Sequence, residues 1–119
     1  MSDSRSIRGV TPDSSDEVVD NVEGVQARHL QPFTTLLVQT RNSLYRVVIT
    51  PGPEIYVQGG VHFPSPTPAY LDGSRVGGRL KVGWIGVGLL MQFRSGDRYV
   101  ITSPVRAITT EQASSSVVH

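Results

Sequence analysis

The sequence LLMQFRSGDRYVIT, residues 89–102, shows a strand pattern on both sides of a turn. Leu89 to Arg94 predicts a strand, because apolar and polar side chains alternate from Met91 to Arg94 with the two-residue period of a half-buried strand. This alternation predicts that Leu89, Met91 and Phe93 face inward. The turn residues Ser95-Gly96-Asp97 follow, and a second apolar run begins at Arg98. The stretch therefore predicts a β-hairpin.

The rest of residues 33–110 repeats this design of short β-branched and aromatic runs between turn residues. Further strands are predicted at Thr34–Arg41, Leu44–Thr50, Ile55–Gln58 and Val105–Thr109. This spacing predicts an all-β fold of about six strands, either a small SH3-like or Sm-like barrel or a sandwich.

Four segments are predicted to connect or bend these strands. Pro64–Pro68 predicts an extended, polyproline-like connection. Asp72-Gly73-Ser74 predicts a turn, and Ser103-Pro104 predicts a break between two strands. Residues 75–88 hold five glycines among apolar residues, which predicts bulges and barrel corners.

Charge and composition divide the chain into three parts. Residues 1–32 carry six acids and three bases, and we predict that they form a disordered acidic leader. Residues 33–110 carry eight bases and three acids and form the predicted barrel. Residues 111–119 are predicted to be a disordered tail. The leader is either solvated or lies on the basic body, where it would weaken anion binding.

Composition also limits the class of protein. The chain has no Cys, so disulfides and thiolate metal sites are excluded. No apolar run approaches the ~20 residues of a membrane span, and no secretion signal is visible at the first residues, so we expect a cytoplasmic protein without a membrane partner. A core of roughly 80 residues is marginal alone, so self-association into a homo-oligomer is expected.

The titratable residues favour no catalytic chemistry. His62 is the one histidine in the predicted barrel, and a zinc site needs three or four ligands. The acids Glu54, Asp72 and Asp97 each lie beside a turn residue, which explains them without acid–base catalysis. The Gly-rich stretch also lacks a phosphate-loop spacing. We therefore predict no enzyme activity, no metal and no cofactor.

Arginines and aromatic residues alternate through the predicted barrel, as in proteins that bind partners or single-stranded nucleic acid. Near the Gly-rich stretch, the predicted contact residues are Tyr70, Arg75, Arg79 and Trp84. Trp84 is equally well explained as the largest core side chain.

Asp72-Gly73-Ser74-Arg75-Val76-Gly77 matches the pattern D-x-S-x-x-G and resembles half of the PilZ signature. PilZ domains are small barrels that bind cyclic di-guanylate, so the resemblance implies an anion site to which Asp72 and Ser74 contribute. The R-x-x-x-R spacing of that family occurs at Arg75–Arg79 and Arg94–Arg98. Both pairs lie within or after the motif, whereas PilZ domains carry theirs upstream.

A longer pattern, GSxxGG, GWIxVG and TSPV between residues 73 and 105, resembles short bacterial all-β proteins with no assigned activity. This resemblance implies a compact barrel and no known reaction. The sequence therefore predicts a bacterial, non-enzymatic binding or assembly module that associates with itself or with a protein partner. The alternative is an anion-binding barrel that recognises nucleic acid or a cyclic dinucleotide through its arginine face.

Overall fold

The computed structural model describes residues 23–111, and they form an all-β body, as predicted. Its one helical segment within that range is a 3₁₀ turn at Ala27–His29. The strands are β1 Gly24–Gln26, β2 Thr35–Thr40, β3 Leu44–Ile49, β4 Ile55–Gly59, β5 Phe63–Val76, β6 Arg79–Val82, β7 Trp84–Gly86, β8 Leu90–Ser95 and β9 Arg98–Glu111.

Six strands pair around a ring in the order β4-β3-β2-β9-β8-β5, and β5 pairs again with β4. β5 pairs with β4 along its first half and with β8 along its second half. β9 changes partner in the same way, from β8 to β2. The predicted barrel of about six strands is therefore confirmed, with partial closure. The two long strands β5 and β9 are shared between two half-sheets, one containing β2, β3 and β4 and the other containing β6 and β8. β6 extends the sheet beyond β5, and β1 pairs with β7 in a separate two-stranded sheet.

The predicted connection at Pro64–Pro68 is wrong, because these residues belong to β5. The Pro68 carbonyl accepts a hydrogen bond from Ser95 Oγ at 3.4 Å, on the side of β5 away from β4. Backbone groups alternate sides along a strand, so Pro66 faces the same way. The N–H that proline lacks is therefore not needed for pairing with β4.

The predicted turn at Asp72-Gly73-Ser74 is also wrong, because β5 continues through it. The register with β8 shifts between Leu71 and Gly73, which marks a β-bulge. Gly73 takes a φ of 142° there, so the glycine accommodates a bend within a strand. The reversal of the chain comes later, at Gly77-Gly78 between β5 and β6.

Ser103-Pro104 was predicted to separate two strands, but β9 runs through both residues. Pro104 stands where β9 leaves β8 and joins β2: it lies opposite Leu90, and Val105 lies opposite Thr40. The register shifts on both sides of this point. A bulge where the strand changes partner is a position that tolerates the missing N–H of proline.

The folded body begins earlier than the predicted boundary at residue 32. β1 pairs with β7, and the Ala27 N–H donates to the Gly83 carbonyl at 2.8 Å. Ala27 is buried, and Val25 and Leu30 pack against the core. These apolar contacts and the pairing with β7 attach the segment to the barrel. Residues 1–22 and 112–119, which were predicted to be disordered, lie outside the described residues.

The core fills the ring with side chains from both half-sheets. Phe93 is fully buried, with the centroid of the Phe63 ring at 5.7 Å in an edge-on contact and the centroid of the Tyr45 ring at 6.1 Å. Met91 and Phe93 point inward, as predicted. The buried apolar residues are Ala27, Leu36, Val38, Tyr45, Val47, Ile49, Ile55, Val57, Phe63, Ala69, Ile85, Met91, Phe93, Val100, Val105 and Ile108.

Candidate functional site

The half-sheet formed by β6, β5, β8 and the first half of β9 turns one face to solvent. The register places Tyr99, Arg94 and Tyr70 in one row across the strands. Ile101, Gln92, Gly73 and Val82 form the next row, and Leu90, Arg75 and Leu80 form the third. We call this surface the outer sheet face, with the side chains Tyr70, Asp72, Arg75, Leu80, Val82, Gln92, Arg94, Tyr99 and Ile101.

A chain of polar contacts crosses the middle of the outer sheet face. Asp72 accepts hydrogen bonds from Gln92 Nε2 at 3.0 Å and from Arg94 Nε at 3.2 Å. Arg75 Nη1 donates to Gln92 Oε1 at 3.0 Å. The Arg94 guanidinium also stacks 4.7 Å from the centre of the Tyr70 ring. Both arginines are therefore oriented by contacts within the sheet.

Burial explains why this network is well defined. The Asp72 side chain is only 13% exposed, whereas the Arg94 side chain with which it pairs is 42% exposed. Gln92 lies on the outer side, as predicted, yet it is buried beneath its neighbours. Buried polar groups are costly unless they are hydrogen-bonded, and here each donor finds an acceptor. Only the guanidinium groups and the Tyr70 ring extend to the surface.

Exposed apolar side chains flank the network on both sides. Tyr99 and Ile101 of β9 are 64% and 50% exposed. Val82 and Leu80 of β6 are 56% and 37% exposed on the opposite flank. Apolar side chains that frame oriented arginines are typical of protein interaction surfaces.

The structure brings three of the six predicted site residues together, namely Tyr70, Asp72 and Arg75. Ser74 is on the other face of β5 and is fully buried, and its Oγ donates to the Trp84 carbonyl at 2.6 Å. Its hydroxyl is thus used inside the fold and faces no surface. The half of the PilZ pattern found here supplies surface groups through Asp72 and Arg75 alone.

Arg79 and Trp84 lie away from the outer sheet face. Arg79 is exposed at the start of β6, opposite Val76. Trp84 is half-buried beside Gly24, and Lys81 Nζ lies 4.0 Å from the centre of its ring. The tryptophan therefore packs the β6–β7 corner against β1 and is covered by a cation.

Sequence reasoning missed Gln92, Arg94, Tyr99 and Ile101 as site residues. They belong to the hairpin whose alternation was recognised, and that alternation assigned the polar side chains of β8 outward. The signal was therefore present for β8 and β9. The alternation could not show the register between β5 and β8, which sets Arg94 opposite Tyr70.

Away from the outer sheet face lies a cleft of about 450 Å³. Leu30, Ile49 and Leu71 are among its apolar walls, and Arg28 is the charged residue that lines it. The Thr50 hydroxyl is turned to the local backbone, donating to the Glu54 carbonyl at 2.5 Å. The cleft thus offers one cation and few free polar groups.

The described residues contain no cluster of three or more His, Cys, Asp or Glu side chains that could hold a metal ion. His62 is exposed in the turn between β4 and β5. Within residues 23–111 there is also no helix with the length and apolar character of a membrane span. Comparison of the chain with protein-family models, with curated proteins and with solved structures finds no match.

Proposed function

We propose that this protein is a non-enzymatic binding module and that the outer sheet face is its contact surface. The observation that carries the proposal is the Asp72–Gln92–Arg94 network, which holds arginines in place between exposed apolar flanks. Arginine and tyrosine are enriched among the residues that dominate binding energy. Side chains that are ordered before binding also lose less conformational entropy on contact.

Both a separate protein and a second copy of the chain fit this chemistry. The buried core is small, and docking Tyr99 and Ile101 against a partner would remove apolar area from water. Assembly would stabilise the fold in proportion to the concentration of the partner.

A photo-crosslinking amino acid placed at Tyr99, in the full chain expressed in its own cells, tests the proposal. We expect one discrete adduct, whose mass identifies a second copy or another protein. The matched control is the same amino acid at Val61, which is 88% exposed in the β4–β5 turn at the far end of β5. Equal adducts at both positions, or none at Tyr99, would contradict the proposal.

The second candidate function is anion binding, with nucleic acid or a cyclic dinucleotide as the ligand. It is favoured by five bases between residues 75 and 98, where the single acid is Asp97. Such binding weakens steeply with salt because bound phosphates release counterions. Retention on heparin at low salt that is lost at moderate salt, and lowered by Arg75→Gln, is the expected result. Retention unaffected by Arg75→Gln would exclude the outer sheet face as the anion site.

A further inference from the structure

β6 is the last strand of its sheet, and its outer edge carries no partner strand among the described residues. All four of its residues are exposed. This edge consists of backbone groups, whereas the side chains of Leu80 and Val82 belong to the outer sheet face.

The hydrogen-bonding pattern shows which groups point outward. The Gly83 N–H donates to the Asp72 carbonyl at 3.0 Å, so the pairs Ser74–Lys81 and Val76–Arg79 are also the bonded ones in this ladder. Leu80 and Val82 therefore turn their N–H and C=O groups away from β5. The Val82 carbonyl confirms this orientation, because it accepts Gln26 Nε2 at 3.1 Å. The N–H and C=O of Leu80 and the N–H of Val82 remain for a new strand.

The side chains beside this edge are basic. Arg79 and Lys81 project from the same face of β6 and are exposed. Arg28 also lies near this edge. Its Nε is 3.7 Å from the position that a Cβ would occupy on Gly83, the residue that follows β6. Neither ion pair found within residues 23–111 involves these three cations, since those pairs are Arg46–Glu111 and Arg94–Asp72.

The same charges oppose pairing of β6 with a second copy of itself. In an antiparallel pair centred on Leu80, Arg79 of one copy would lie opposite Lys81 of the other. In a pair centred on Lys81, the two lysines would face each other. Like charges directly opposite are destabilising in sheets. Short, lysine-bearing edge strands of this kind prevent self-aggregation, and they leave the edge open to a strand of opposite charge.

We propose that β6 accepts an extended acidic peptide segment of a partner protein as an added strand. The inference rests on the proposed function of the barrel as a binding module, and it names the chemistry of the partner. Backbone bonds to Leu80 and Val82 supply the pairing, and alternate acidic side chains meet Arg79 and Lys81. The intervening apolar side chains join Leu80 and Val82 on the outer sheet face.

The test is an amide NMR titration of the full, isotope-labelled chain with a short, end-capped peptide in which glutamate alternates with valine. We expect the shifts to centre on Leu80 and Val82. The double variant Arg79→Gln/Lys81→Gln should bind at least about tenfold more weakly. Its matched control, Arg41→Gln/Arg106→Gln, removes the same charge from two other exposed positions and should bind almost as tightly as the parent.

A second pair of variants isolates the backbone. Leu80→Pro removes an outward N–H without touching a bond to β5, whereas Leu80→Thr removes the leucine side chain and keeps the N–H. Binding should be lost in the proline variant and largely kept in the threonine variant. Equal effects of the two variants on peptide binding would overturn strand addition. If Leu80→Pro gives the spectrum of an unfolded chain, the charge variants Arg79→Gln/Lys81→Gln and Arg41→Gln/Arg106→Gln test the proposal instead.

Three further outcomes would overturn the proposal. The first is the absence of peptide binding, even if crosslinking at Tyr99 succeeds. The second is tighter binding after Asp16→Asn/Glu17→Gln/Asp20→Asn, which would assign the edge to this chain's own leader. The third is a dimer that Leu80→Pro abolishes, which would assign the edge to a second copy. A failed crosslink at Tyr99 together with peptide binding at β6 would contradict the outer sheet face as a contact surface and would support strand addition at β6.

Discussion

Gly73 stands at the β-bulge of β5, within the half of the strand that pairs with β8. Its φ of 142° lies in a region that L side chains rarely adopt. A Cβ at this position would also collide with the carbonyl oxygen of Lys81 on β6. Both the backbone conformation and the close approach of β6 therefore require glycine.

Replacement of Gly73 by alanine should lower the free energy of unfolding by at least about 2 kcal/mol, because strain and a backbone collision add. Gly52→Ala is the matched control, since nothing lies within 4 Å of a Cβ there. The control should change stability by no more than about 0.5 kcal/mol. Urea unfolding of both variants measures the difference, and similar values for the two would refute the argument.

Tyr45 gives the fold a dependence on alkaline pH. Burial raises the pKa of its phenol above 10.0, and a hydrogen bond with Ser43 offsets part of that rise. The folded protein therefore holds the proton more tightly than the unfolded chain does. The contribution of Tyr45 to stability should be constant below about pH 10 and fall as the pH rises further, because the unfolded phenol ionises first.

Tyr45→Phe should flatten this decline, and Tyr99→Phe, at an exposed position, should leave it unchanged. Urea unfolding at a series of pH values from about 8 to about 11 measures the slope for each variant. The same slope in Tyr45→Phe and the parent would show that another group governs the alkaline loss.

At the scale of the element, β5 protects part of its own edge. Pro66 and Pro68 face away from β4, in the half of β5 that precedes its pairing with β8. Prolines placed in this way deny a donor to any incoming strand. The β6 edge has no proline and carries charged side chains instead, so the two edges oppose edge-to-edge pairing by different means.

Pro66→Thr/Pro68→Thr should leave stability within about 1 kcal/mol and promote aggregation, because it creates outward N–H groups in a strand-favouring sequence. Pro51→Thr/Pro53→Thr makes the same change in an exposed loop and should not aggregate. Light scattering during incubation at micromolar concentration compares them. Equal scattering from both double variants would mean that proline content alone matters.

The sequence predicted the elements of this fold better than their continuity. Alternation located β2, β3, β4 and the β8–β9 hairpin, because a strand with one buried face shows its period locally. Proline and glycine were interpreted as breaks in β5 and β9, yet both strands run through them. Local propensity cannot show which side of a strand lacks a partner, and that determines whether proline is tolerated.

The candidate site was predicted in part for the same reason. Tyr70 and Arg75 were chosen as aromatic and arginine side chains near the Gly-rich stretch, and Asp72 was chosen from the D-x-S-x-x-G pattern. All three lie on β5 and share a surface. Arg94 and Gln92 complete the network from β8, about 20 residues later in the chain. Such partnerships depend on the register shift at Gly73, which no local pattern specifies.

At the scale of the whole molecule, the two half-sheets share one core. Leu36 of β2 is fully buried on one side, and Phe93 of β8 is fully buried on the other. The strands that connect them, β5 and β9, are covalently continuous. The body should therefore unfold in one cooperative transition.

Leu36→Ala should lower the unfolding free energy by about 2 to 5 kcal/mol, because it leaves a cavity in a closed core. Fluorescence of Trp84, on the distant β7, should shift its midpoint together with the circular dichroism of the sheets. Tyr56→Ala, at a half-exposed position on the outside of β4, should move both midpoints much less. A fluorescence midpoint that stays in place while circular dichroism shifts would show two independent folding units.

The sharing of β5 and β9 also determines how the native state opens. Any partial opening that releases one half-sheet must leave those two strands held by the other. Their amide protons should consequently exchange with deuterated solvent more slowly than those of β6, which a single neighbour retains. Transient openings would then expose the β6 hairpin first, so the edge that we propose as a peptide site is also the part that the rest of the barrel restrains least.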